Sequence, residues 1–193
     1  EDPMRNLIFL DNHDMTRFYG AIGNNMDKFK SGIVWLLTER GIPELYYGTE
    51  LLFTGDANKS HGLIRQEMPG AWPGDKRTVF TREGRTPAEN EAFDFVKKMA
   101  AIRQANPVLQ TGKLMQFVPD NSVYCYFRYD DMSSVMVVLN TASADRKVDL
   151  RRFAERFEGY KSAKNALTDE VLTDLTTTVT VKKNAPLVMI LGK

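Results

Sequence analysis

The residues predict an α/β segment over positions 1–108 followed by a small antiparallel β-sandwich over 109–193, and three observations carry that expectation. A strand, a helix and a second strand follow one another before Gly48. A well-capped helix then ends at Asn106-Pro107. Beyond Pro107 the apolar period drops from that of a helix to that of a strand, and several short alternating runs follow.

The first strand is Asn6–Leu10, apolar on both faces as a parallel strand covered by helices should be, so it is expected to be fully buried. Met26–Arg40 is helical, with Phe29, Ile33, Leu36 and Leu37 recurring on one face and Trp35 expected in the core. Gly41 suits the C′ position and Pro43 blocks continuation. The second strand is expected at Glu44–Tyr47, closed by Gly48, which makes a βαβ unit with parallel strands and a right-handed crossover. Leu51–Arg85 is long and irregular. With Gly48 it holds six of the 13 glycines, and the prolines and Trp72 of "MPGAWPGD" mark it as an ordered loop rather than a tether. Arg82–Arg85 is expected as a solvated turn. Thr86, Pro87 and Glu89 then form the N-cap, N1 and capping-box positions of a helix whose face carries Phe93, Val96, Ala100 and Arg103. The sandwich strands are expected at Lys113–Val118, Ser122–Tyr129, Ser134–Leu139, Lys161–Asn165, Thr176–Val181 and Leu187–Leu191.

The bulk composition narrows the function classes. Of 193 residues, 42% are hydrophobic, and 26 Lys plus Arg balance 25 Asp plus Glu. Such a balance carries no electrostatic footprint for nucleic acid or an anionic membrane, so a neutral partner fits better. No apolar run approaches the roughly 18 residues that a membrane helix needs. The opening "EDPMRN" lacks the apolar region of a signal peptide, and its abrupt passage into a strand suggests a chain that begins inside something larger. The single cysteine, Cys125, excludes an internal disulfide and is expected as a small buried hydrophobe.

Chemistry concentrates in "NLIFLDNHDMTRF", Asn6–Phe18, where an apolar strand runs into Asp11, Asn12, His13, Asp14 and then Arg17. Carboxylates and an imidazole this close together demand partners, and in α/β folds the carboxyl end of a parallel strand is where reactions occur. "FLDNHD" resembles the His-Asp motif of the α-amylase family of glycoside hydrolases, at the end of a barrel strand. "GIPELYYGTE" is similar to that family's eighth barrel strand, "RQEMPGAWPGD" to a loop of its neopullulanase and cyclomaltodextrinase branch, and "IRQANPVLQTG" to the end of its last barrel helix. The four motifs cover most of residues 7–112 in order.

The resemblance implies the last two β/α units of a TIM (β/α)8 barrel, followed by the family's C-terminal sandwich. It implies retaining hydrolysis of α-1,4 glucosidic bonds in starch-derived oligosaccharides, with α-1,6 bonds left open, and starch, pullulan and cyclodextrin as alternative substrates. Asp14 matches the carboxylate that stabilises the transition state, and His13 the imidazole that binds the same sugar. Retention requires a nucleophile and an acid about 5–5.5 Å apart. Neither has a counterpart here, so the 193 residues alone are expected to be inactive, as a C-terminal fragment of such an enzyme. Asp11 and Asn12 either contact sugar or brace the turn, and Arg17 is expected in a buried ion pair.

Asp56 and Arg65 match, with blurred spacing, an Asp and an Arg that reach the substrate in relatives, and Lys59 stays open. The competing interpretation is a salt bridge that braces the loop. Trp72 either stacks on a glucose ring or anchors its loop. His61 is expected on an exposed loop, Glu50 as a structural carboxylate, and Tyr46 and Tyr47 as packing at the strand end, with the alternative that one of them lines the cleft. No cofactor or metal is expected in this segment, and any calcium would belong to other parts of a larger enzyme. Expected partners are an α-glucan oligosaccharide, the remaining barrel segment, and a second copy of the chain across the open strand edges. The rival class is a non-catalytic carbohydrate-binding or structural module. It lacks an exposed aromatic pair in 109–193, while an α/β hydrolase of another kind lacks a nucleophile elbow.

Overall fold

Asp2–Lys193 are described by a computed structural model and fall into two compact units. The first comprises Leu7–Leu36 and Ile42–Ala101. The second comprises the residues up to Asn6, Leu37–Gly41 and Ile102–Lys193.

In the first unit, β1 (Leu7–Phe9) leads through a short α1 (Phe18–Ala21) into α2 (Met26–Thr38), which returns the chain to β2 (Ile42–Glu44). The two strands are parallel, with Leu7 opposite Ile42 and Phe9 opposite Glu44. Phe29, Ile33 and Leu36 are buried on α2, as its periodicity requires, whereas Trp35 is only half-buried. Two expectations need correction. The strand starts at Ile42 rather than Glu44, because Pro43 is tolerated in a strand with a free edge. Nor is β1 fully buried: Leu7 is 53% exposed, since β2 is its sole neighbour among the described strands.

The long segment after β2 is ordered around Leu51, Phe53 and Val79, with Met68 and Phe93 packed against them. Gly48 opens it at φ +80, a left-handed turn in which a side chain would be strained. Its only helix among the described residues is α3 (His61–Ile64), after a 3-10 turn at Thr49–Leu51. Then α4 (Pro87–Ala105) begins with a reciprocal capping box: the Glu89 N–H donates to Thr86 Oγ1 at 3.2 Å, and the Thr86 N–H to Glu89 Oε2 at 2.7 Å. Its buried face is Ala92, Val96 and Met99. Ala100 is exposed, so the stripe lies one position from the expected one. Arg85 also departs from a solvated turn: it lies 3.9 Å over the Phe93 ring.

In the second unit, α5 (Val108–Thr111) precedes β3 (Lys113–Asp120), β4 (Val123–Tyr129), β5 (Ser134–Asn140) and β6 (Arg146–Asp149). A helical corner, Leu150–Phe153 continuing as α6 (Ala154–Phe157), leads to β7 (Ser162–Asn165), β8 (Val171–Leu172), β9 (Thr178–Val181) and β10 (Pro186–Gly192). A six-stranded antiparallel sheet runs β3-β4-β5-β10-β7-β8, and β6-β9 forms a second antiparallel pair. Phe127, Met136, Val148, Phe153, Val181 and Met189 share the core between them. Every residue of β5 is buried, as befits a central strand covered on both faces. Cys125 lies inside, where burial pushes its thiol pKa up and leaves it inert.

Candidate active site

The chain leaves β1 at its carboxyl end and turns sharply through Asp11–Arg17. Two charged side chains, Asp11 and Arg17, are driven inside at this turn, 2% and 0% exposed. Burial is tolerated because nearly every polar atom is paired. Arg17 Nε donates to Asp11 Oδ2 at 2.9 Å, as does the Phe18 N–H, and the Thr49 hydroxyl donates to Asp11 Oδ1 at 2.8 Å. The other guanidinium nitrogens donate to Tyr47 O at 2.6 Å, Thr49 Oγ1 at 3.1 Å and Ile64 O at 3.1 Å. The Tyr46 ring lies 4.5 Å from the guanidinium carbon, a cation–π contact on a dry charge. Asp11 therefore braces the turn, and Arg17 ties it to the segment following β2.

Above this buried pair the turn presents His13 and Asp14 to solvent. The Asn12 side chain accepts the Asp14 N–H at 2.9 Å, fixing the backbone there. His13 Nε2 lies 3.1 Å from Asp14 Oδ2. Arg65 arrives from the residue after α3: Nη2 donates to Asp14 Oδ1 at 2.9 Å, and Nε to His13 O at 2.9 Å. Asp14 thus has one oxygen on a guanidinium and the other beside an imidazole. Such a carboxylate can keep two of its roughly four lone-pair sites for incoming hydroxyls.

The remaining candidates divide. Asp56 Oδ1 accepts the Asn58 N–H at 3.0 Å and the Thr16 hydroxyl at 3.4 Å, linking its loop to the same turn. Trp72 is 61% exposed on a separate tight loop, where Asp75 accepts the N–H groups of Gly70 and Trp72. His61 is exposed in the first turn of α3, and Lys59 is exposed beside it. Glu50 is half-buried with its Oε2 unpartnered. Burial raises its pKa, opposed first by the N–H groups of Glu50 and Gly48 and then by Arg17. Among the described residues no group of three His, Cys, Asp or Glu could hold a metal ion. Two hydroxyls absent from the sequence expectations, Thr16 and Thr49, connect the turn to the loop. Thr49 lies in "GIPELYYGTE", but nothing local signals that its hydroxyl donates to Asp11.

A carboxylate–imidazole pair at the carboxyl end of a parallel strand, followed by an antiparallel sandwich, is the arrangement expected of a segment of a (β/α)-barrel enzyme with a C-terminal β domain. Residues 1–112 match the α-amylase catalytic domain and residues 114–190 the cyclo-malto-dextrinase C-terminal domain. The chain belongs to the α-amylase family. It is 33% identical over 134 residues to a cyclomaltodextrin glucanotransferase of Niallia circulans, covering 69% of this chain and 16% of that protein. An α-amylase of the same organism is 31% identical over 134 residues, covering 69% of this chain and 22% of the relative. The chain therefore spans less than a quarter of the length of these relatives. Among solved structures, an Anoxybacillus α-amylase superimposes with a TM-score of 0.74 at 23% identity, over 98% of this chain and 38% of that one. An α-amylase from Geobacillus thermoleovorans, complexed with acarbose, gives 0.74 at 23% over 99% and 40%. These likenesses place the fold among amylase-family barrels.

Proposed function

We propose that these residues supply the transition-state-stabilising carboxylate, Asp14, and a sugar-binding imidazole, His13, to a retaining α-glucan hydrolase. Its substrates are starch-derived oligosaccharides joined by α-1,4 bonds, with α-1,6 bonds as further targets. The observation that carries the proposal is the exposed Asp14 carboxylate at the end of β1, with its oxygens next to Arg65 and His13. As the sugar ring flattens toward an oxocarbenium ion, contacts from Asp14 to its hydroxyls strengthen, and only such differential binding accelerates the reaction. The nucleophile and the general acid lie outside these residues. The match of 114–190 to a cyclo-malto-dextrinase domain favours cyclodextrins and short maltodextrins over granular starch. Because a glycosyl-enzyme intermediate can pass to water or to a sugar hydroxyl, both products are to be measured.

The test compares the full-length protein, its Asp14→Asn variant and the 193-residue chain on a cyclodextrin and on maltoheptaose, reading reducing sugar and transfer products. We expect an active parent and a silent chain. The variant should be slowed about 10²- to 10³-fold, the scale of losing one group that stabilises developing charge. Turnover by the chain alone, or an Asp14→Asn variant as fast as the parent, would overturn the assignment.

A further inference from the structure

We infer that Arg65 is a positioning residue for Asp14 rather than a sugar ligand, an inference that rests on the role given to Asp14 above. Its guanidinium spans two acceptors on neighbouring residues, with Nε on the His13 carbonyl and Nη2 on the Asp14 carboxylate, both at 2.9 Å. One planar fork thereby fixes the backbone of the turn and the rotamer of its carboxylate together. With Asn12 on the Asp14 N–H and His13 beside Oδ2, the carboxylate has little rotational freedom left.

The stalk that presents Arg65 is itself anchored. Its N–H donates to His61 O at 3.1 Å, and the preceding Ile64 is fully buried with its carbonyl on Arg17 Nη1. A side chain at Gly55 would meet Leu63 O at 2.1 Å, so this stretch is pressed against the Gly55 backbone. The Gly55 carbonyl in turn accepts the Arg17 N–H at 2.9 Å. Arg17 thus holds Asp11 at one end of the catalytic turn and seats Arg65 from the other. Both partners of the Arg65–Asp14 pair are about half exposed, and exposed ion pairs contribute only about 0–1 kcal/mol to stability. What the fork supplies is geometry, which matters in the transition state, where misplacing a reacting group by about 1 Å can cost about 10²-fold.

The test uses the full-length protein with Arg65→Met and Arg65→Lys, on maltoheptaose and on a short aryl α-maltoside. A positioning role lowers kcat about 10- to 100-fold on both substrates while KM stays within about threefold. Lys restores little of the rate, because a point charge cannot span both acceptors. In an Asp14→Asn background, Arg65→Met should cost almost nothing further, since its effect runs through Asp14. A raised KM on maltoheptaose alone with kcat unchanged, or full additivity with Asp14→Asn, would overturn the inference. Near-UV circular dichroism matching the parent's excludes misfolding as the cause of a slow variant. An Asp14→Asn variant with undiminished activity defeats the proposed function itself, whereas a crippled Asp14→Asn beside an intact Arg65→Met defeats this inference alone.

Discussion

Replacing Arg128 by methionine is expected to cost about 3 kcal/mol, and the structure shows where that comes from. Arg128 lies on β4 with no exposed surface, yet its partners are backbone carbonyls rather than a carboxylate. The two N–H groups of Nη1 are shared among Thr38 O, Glu39 O and Leu109 O, each at 2.8 Å, Nη2 donates to Gly112 O at 3.0 Å, and Nε is buried without a partner. Thr38 ends α2 and Glu39 follows it, where carbonyls lack intrahelical partners and the helix dipole is negative, so a cation is well placed there. Charge-assisted bonds of this kind contribute about 1.5–3 kcal/mol each. Against them stands desolvation: burial, followed by nearby Arg103, pushes the Arg128 pKa down to about 10. Methionine keeps the packing volume but leaves the Thr38, Glu39 and Gly112 carbonyls without their donor, while Leu109 O retains Arg103 Nη1 at 2.7 Å. The net lies at the low end of the roughly 3–5 kcal/mol for removing one partner of a buried charged pair, because carbonyls are easier to strand than an ion. For a domain of this size that corresponds to a drop of about 6–12 °C in Tm, read by calorimetry or urea denaturation. A methionine variant within about 1 kcal/mol of the parent would refute the reasoning. It would mean that guanidinium desolvation cancels all four bonds.

Three further outcomes follow from the same structure. Thr86→Ala should cost about 1 kcal/mol by removing half of the capping box. Burial alone would raise the Glu89 pKa, but the Thr86 N–H and the Arg77 guanidinium hold it below the usual carboxylate range. Its charge therefore stabilises fully at neutral pH, and the contribution fades as pH falls through the folded-state pKa. In urea midpoints measured against pH, Glu89→Gln should converge on the parent in acid, and a gap widening in acid would reverse the sign. Leu7 and Ile42 sit opposite each other on a two-stranded parallel sheet at 53% and 52% exposure, so the isolated 193-residue chain should self-associate. Sedimentation velocity showing a clean monomer across concentrations would rule that out.

The parts of this molecule that sequence reveals are those whose causes are local. The cap of α4 was legible because Thr86, Pro87 and Glu89 meet within one turn, and their reciprocal bonds form as the residue types require. β2 was misplaced because "ELYY" suits a strand, but its carbonyls are taken elsewhere: Tyr46 O by the Thr49 N–H and Tyr47 O by Arg17. β6 and β8 carry little local signal, because Arg146–Asp149 buries only Val148 and Val171–Leu172 is two residues long. β5 is buried throughout, which no alternating pattern shows.

The site divides along the same line. Asp11 and Arg17 are six residues apart, close enough for their pairing to be suspected from the turn alone. Arg17 and the Ile64 carbonyl are 47 apart, and nothing in "GLIRQE" signals that bond. Yet that second contact anchors the residue just before Arg65, whose Nη2 lies 2.9 Å from Asp14 Oδ1. One arginine thus does two jobs, one local and one distant. Substituting it should disturb the stability of the turn and the aim of Asp14 together, whereas substituting Arg65 should disturb the aim alone.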